Sequence, residues 1–108
     1  MRLATFAIDI TPPVGHALAY GTNRRIVGRQ WLRGVVLEDV HSRAVLAAAD
    51  VLALGGRAHR AWRRAIAIVA GCPSSAVLLH AVHQHDALVL LPEADDERRA
   101  AGWDDGMD

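Results

Sequence analysis

Short apolar segments with polar residues between them occupy the first half of the chain and predict β-strands. The first covers Leu3–Ile10 and must end at the two prolines that follow, because proline gives a strand no backbone donor. Strand character returns over Trp31–Leu37 and over Arg43–Leu54, and the polar turn between these two segments predicts a β-hairpin. The alanines at positions 47–49 leave a helical interpretation of the second arm open.

The segment that precedes the hairpin, His16–Arg29, has no regular apolar period and contains glycines, so we expect a long loop. Long loops in compact domains are often functional. The arginines of this loop, Arg24, Arg25 and Arg29, either line a site for an anion or form a solvated basic surface.

One segment, Arg57–Ala70, has the apolar period of an amphipathic helix. The residues predicted to share its buried face are Ala58, Trp62, Ala65, Ile66 and Val69. Gly71 suits the position that ends a helix. Apolar residues resume over Ala76–Val82, and the continuous run Val77–Leu79 is typical of a strand that is buried on both faces. Strand, helix and strand with short connections predict a βαβ unit with parallel strands.

These segments predict an α/β fold. We expect a small mixed sheet of about four strands, in the chain order β-β-β-α-β, with one main helix, as an incomplete part of a larger layered α/β domain. Residues 1–92 form this domain, and residues 93–108, which hold seven acidic residues and two arginines, form an acidic, frayed tail.

Composition excludes several classes of protein. The 108 residues suffice for one small domain, and the net charge of zero does not predict a nucleic-acid partner. Cys72 is the single cysteine, so no disulfide can form within the chain. We find neither a secretory signal nor an apolar run long enough for a transmembrane helix, and we expect a cytoplasmic location by default.

The candidate chemistry lies in the histidine-rich segment that follows the last predicted strand. If the strand continues, His83 and His85 share one face with their Cα atoms about 6.5 Å apart, so that both rings reach one small ion. His80 then lies on the opposite face. Neutral imidazole is a common zinc ligand, and α/β proteins place sites at the carboxyl ends of strands. Spacing alone leaves a packing role for these histidines open.

Asp50 is a second candidate, because a carboxylate interrupts an apolar run there. Asp50 either caps nearby backbone amides or is an outer-shell partner of the histidines. A serine–histidine–aspartate triad is disfavoured, since Ser74 and Ser75 precede the last strand and the histidines follow it.

Four segments, in this order, resemble the N-terminal part of the neutral/alkaline non-lysosomal ceramidase family, and most closely its uncharacterised bacterial relatives. The segments are Ile8–Gly15, Arg33–Asp39, Ala47–Leu52 and Val77–His85. The resemblance covers roughly residues 4–88, about four fifths of the chain. Asp86 departs from ceramidases proper, which have serine, glycine and proline after the second histidine of the motif.

The resemblance implies a zinc-dependent hydrolase that cleaves the amide (N-acyl) bond of a ceramide-like lipid. His83 would be a metal ligand, together with a later His, a Glu and a Tyr. His85, as an outer-shell or substrate-contacting group, and Asp86 would lie beside the metal. The later ligands are absent from these 108 residues, so we expect an N-terminal fragment that is inactive alone, or one completed by a partner chain. The alternative is a non-catalytic α/β scaffold or interaction domain with structural histidines.

Overall fold

The main sheet of the computed structural model, which describes residues 1–18, 21–24 and 28–100, has four strands. They are β1 (Arg2–Asp9), β4 (Trp31–Glu38), β5 (Arg43–Ala49) and β7 (Val77–Ala81), which lie in the order β1-β4-β5-β7. β1 is antiparallel to β4 and β4 to β5, whereas β7 is parallel to β5. The predicted mixed α/β sheet, its hairpin and its parallel pair are thereby confirmed.

Two helices and two small strand pairs complete the described structure. The pairs are β2 (Ala17–Leu18) with β3 (Gly21–Thr22), and β6 (Ala53–Leu54) with β8 (Val89–Leu90); the helices are α1 (Gly56–Ala70) and α2 (Pro92–Ala100). A short 3₁₀ turn, Ser74–Ala76, leads into β7. The predicted helix therefore exists, and it ends where expected, because Gly71 has φ 73 and donates its N–H to the Ala67 carbonyl.

The segment predicted to be a long loop contains the β2–β3 hairpin instead. Its ends are closed by backbone hydrogen bonds from Gly15 N–H to the Asn23 carbonyl (2.7 Å) and from Asn23 N–H to the His16 carbonyl (2.8 Å). The Asn23 amide also donates to the Pro12 carbonyl at 2.9 Å. The sequence hides this hairpin because two-residue strands are too short to show an alternating pattern.

The second arm of the main hairpin is a strand, as predicted, but it ends at Ala49 rather than Leu54. Val51 N–H bonds back to the Ala49 carbonyl at 2.8 Å, which turns the chain out of the sheet. The chain then forms β6, which pairs in parallel with β8. The apolar run resumes after Asp50 because Val51, although outside the strand, is fully buried.

The core lies between α1 and one face of the main sheet. Its buried residues are Leu32, Val45, Ala47, Ala49, Val51, Ala67, Val77 and Leu79. Trp62 and Ile66 pack against this core, as predicted, whereas Ala65 and Val69, predicted to be buried, are exposed, Val69 at 90%. Val69 is exposed because α1 contacts the β5 and β7 half of the sheet. Val69 instead lines a cavity of about 600 Å³ that opens between α1 and the β1 and β4 half.

The prediction that β7 is buried on both faces is wrong. Val77 and Leu79 are 3% and 7% exposed, but Leu78 between them is 69% exposed. α1 covers only one face of the sheet, and the apolar residues on the other face are uncovered by any described element. A continuous apolar run therefore marks a strand with two apolar faces, of which this structure buries one.

The acidic segment begins as helix α2, which is attached to the start of α1. Glu93 accepts the backbone N–H of Arg57 at 2.8 Å, and Asp96 pairs with the Arg57 guanidinium at 2.6 Å. These contacts replace a helix cap, since Gly55 provides no side chain for α1. The predicted frayed end, 101–108, lies outside the described residues.

Candidate functional site

The carboxyl ends of the parallel strands β5 and β7 bring the candidate site together. Val82 N–H donates to the Ala49 carbonyl at 3.0 Å, immediately after the two strands end. His83 N–H and Gln84 N–H both donate to the Val51 carbonyl at 3.1 Å. The chain after β7 is thereby fastened to the bend after β5, at the edge of the sheet where α/β proteins place their sites.

The two predicted site histidines do meet, but a turn rather than a strand brings them together. β7 ends at Ala81, and His83 has φ 67, so the alternation of faces that the sequence suggested does not extend to His85. The ring centroids of His83 and His85 lie 4.8 Å apart with an interplanar angle of 81°. The left-handed backbone at His83, which histidine adopts more readily than most residues, directs the chain into this turn.

A backbone carbonyl fixes the His83 ring. Its Nδ1 lies 3.0 Å from the Leu52 carbonyl oxygen. A carbonyl can only accept, so Nδ1 carries the proton, and in the neutral ring Nε2 then presents a lone pair. This arrangement is the one that metal-binding histidines generally show. Sequence reasoning did not identify Leu52, because a backbone carbonyl leaves no signal in the sequence.

Asp50 and His80 have other places in the structure than the two rings: Asp50 caps a backbone amide, and His80 lies on the sheet face away from α1. Asp50 Oδ2 accepts the backbone N–H of Trp31 at 2.9 Å, which is the capping role that the sequence left open. His80 is exposed on the sheet face away from α1, one position after the buried Leu79. The prediction of opposite faces for His80 and the other two histidines assumed a strand that continues to His85, whereas β7 ends at Ala81.

Asp86 is held by its backbone at the end of the same turn. Its N–H donates to the Gln84 side chain at 3.1 Å, and its carbonyl accepts the Gln30 side-chain amide at 2.6 Å. The other atom of that amide, Gln30 Oε1, is buried without a hydrogen-bond partner among the described residues. Gln30 was not predicted, since a single glutamine in a loop resembles any solvated residue.

Two of the three arginines of the predicted loop, Arg24 and Arg29, lie in the described residues. Arg29 pairs with Asp9 at 3.3 Å, and Arg24 is exposed. Hydrogen bonds from Thr11, with the nearby Arg29 charge, hold the pKa of Asp9 below its ordinary value. Arg25 lies outside the described residues, so the anion-site hypothesis remains a prediction for that position.

The donors present here fit only part of a zinc site. Within residues 1–18, 21–24 and 28–100, no group of three or more His, Cys, Asp or Glu is placed to hold a metal ion. A catalytic zinc site has three protein ligands, whereas this turn offers one oriented imidazole with a second beside it.

The fold and the turn together define the class: a small mixed α/β unit with paired histidines at the carboxyl ends of its parallel strands. Comparison with family models, with curated proteins and with solved structures found no match for this chain. Of the helices that the structure describes, none has the length and apolar character to cross a membrane.

Proposed function

We propose that this chain contributes to the active site of a zinc-dependent hydrolase that acts on an amide (N-acyl) bond, similar to the ceramidases, with His83 as a metal ligand. The observation that supports the proposal is the hydrogen bond from His83 Nδ1 to the Leu52 carbonyl. It sets the tautomer in advance and leaves Nε2 to bind a metal, so little ordering is needed when the ion arrives.

The neighbouring residues have matching roles in this proposal. His85, whose ring meets that of His83, acts as an outer-shell or substrate-contacting group, and Asp86 lies beside them on the same turn. Zinc, when bound, would polarise the amide carbonyl and activate a water. The remaining ligands would come from beyond these residues or from a partner chain, so this chain alone is expected to be inactive. The substrate is a small-molecule or lipid amide.

Zinc titration of the purified chain by calorimetry tests the proposal. His83→Asn is the informative variant, because asparagine tolerates the left-handed backbone that alanine adopts at a cost. We expect weak 1:1 binding to the wild-type chain, loss of that binding in His83→Asn, and no hydrolysis of an N-acyl substrate by either. His41→Ala, a change at an exposed histidine in the β4–β5 turn, is the matched control and should bind zinc as the wild type does. Equal zinc affinity in His83→Asn would refute the role of His83.

A second candidate is a non-catalytic α/β scaffold in which the histidines are structural. It is favoured by the same turn, where the backbone N–H groups of His83 and Gln84 share the Val51 carbonyl and the His83 ring bonds to Leu52. This candidate expects no zinc binding by the wild-type chain, together with a clear drop in Tm in His83→Asn. The two candidates therefore differ in the calorimetric result.

A further inference from the structure

The main sheet has a second face, which we call the outer face, that points away from α1. Strand pairing places Thr5, Val35, Leu46 and Leu78 in one row across it. Leu78 is 69% exposed and Leu46 is 43% exposed, so this row is an uncovered apolar surface. All-parallel sheets usually have both faces covered by helices, and Leu46 and Leu78 belong to a parallel strand pair of this mixed sheet.

The next row on the outer face carries the guanidinium of Arg33 and the imidazole of His80. Arg33 and His80 lie on either side of Ala48, separated by two strand spacings of about 4.8 Å each. They border a shallow groove of about 630 Å³. The Arg33 guanidinium lies 5.5 Å from the centroid of the Trp31 ring, which holds it over the sheet. Among the described residues, no carboxylate pairs with Arg33 or His80.

The acids near this face are already engaged. Asp9, at the end of β1, accepts the Thr11 N–H at 2.9 Å and pairs with Arg29. Asp50 caps Trp31 at 2.9 Å. A second copy of the chain, stacked face to face, would therefore offer none of these carboxylates to the Arg33 guanidinium.

From the apolar row, the adjoining row that holds the Arg33 guanidinium and the parallel strand pair, we infer that the outer face binds an amphipathic helix that carries a carboxylate at one end of its apolar stripe. The stripe covers Val35, Leu46 and Leu78, and the carboxylate lies between Arg33 and His80. A helix that lies along the strands crosses both rows, and their spacing of about 7 Å is a little more than one helical turn of about 5.4 Å, so an acid about one turn beyond the stripe reaches Arg33 and His80. This inference is independent of the proposed function, because His83 and His85 take no part in it.

Two synthetic stapled helical peptides test the inference. They have the same leucine stripe and differ only at the residue one turn beyond it, which is glutamate in one peptide and lysine in the other. Binding is measured at neutral pH by NMR titration of the full chain. We expect the glutamate peptide to shift the signals of Leu46 and Leu78 and to bind about fivefold more tightly than the lysine peptide, as one partly exposed ion pair allows.

The charge reversal Arg33→Glu should invert this preference. The matched control Arg64→Glu, at an exposed arginine on α1, should leave it unchanged. Circular dichroism checks that both variants fold. Failure of both peptides to bind, or equal binding of the two, would overturn the inference. So would binding to phosphatidylglycerol vesicles without peptide binding, which would assign the face to a membrane, or a dimer in sedimentation that Leu46→Glu dissociates.

Discussion

Gly34 lies at the centre of the main sheet, and replacing it with alanine should destabilise the fold measurably. A Cβ built at this position comes within 2.5 Å of the Leu46 carbonyl oxygen and of Phe6 Cζ, where ordinary contact begins at 3.4 Å. The Phe6 ring can rotate away, but the Leu46 carbonyl belongs to the β4–β5 pairing and cannot move without bending the sheet. Forcing extra volume into a packed site typically costs 1–3 kcal/mol.

We therefore expect Gly34→Ala to lower the free energy of unfolding by about 2 kcal/mol and the Tm by about 10 °C. Urea denaturation followed by circular dichroism measures the first quantity. Gly28→Ala is the matched control, since a Cβ at Gly28 meets nothing within 4 Å, and it should change stability by less than about 0.5 kcal/mol.

A double variant separates the two obstacles around Gly34. Phe6→Leu in the Gly34→Ala background removes the contact with the ring and leaves the contact with the Leu46 carbonyl. If the backbone is the main obstacle, the double variant should recover little of the lost stability. A Gly34→Ala chain as stable as the wild type would refute the close approach of β5 and Phe6 to β4.

Three further predictions concern a cap, the core and acid stability. Asp50→Ala should cost about 1–3 kcal/mol because it strips the half-buried Trp31 N–H of its acceptor, whereas Asp50→Asn, which keeps an acceptor oxygen, should cost less in the same urea assay. Val45→Ala should cost about 2 kcal/mol, since Val45 is fully buried, while Val40→Ala, at a residue 91% exposed, should be nearly neutral. Two arginine partners hold the pKa of Glu38 below its ordinary 4.5. The stabilisation of the fold by the ionised Glu38 carboxylate is therefore complete above that pH and is lost as the pH falls through the lower folded-state pKa. Stability should decline below about pH 4.5, and less steeply in Glu38→Gln; equal acid sensitivity of the two chains would refute this assignment.

For the histidine turn, the sequence predicts that the two rings meet but not the backbone conformation that brings them together. The spacing of His83 and His85 at the end of an apolar run was enough to predict that the two rings lie together. The reason offered, alternation along a strand, was wrong, because β7 ends at Ala81 and the chain turns at His83. Local sequence cannot show where a strand ends when the residue that stops it is anchored to Val51, some thirty positions earlier.

The sequence by itself determined the elements whose causes are local. Prolines after β1, the polar turn before β5, the helical period of α1 and Gly71 at its end act over a few residues, and each prediction was confirmed in type. Tertiary structure alone decided which apolar residues are buried. Leu78 and Val69 fit the predicted patterns, yet both are exposed, because one helix covers half of one sheet face. Burial depends on what lies opposite a residue, and that is a property of the assembled fold.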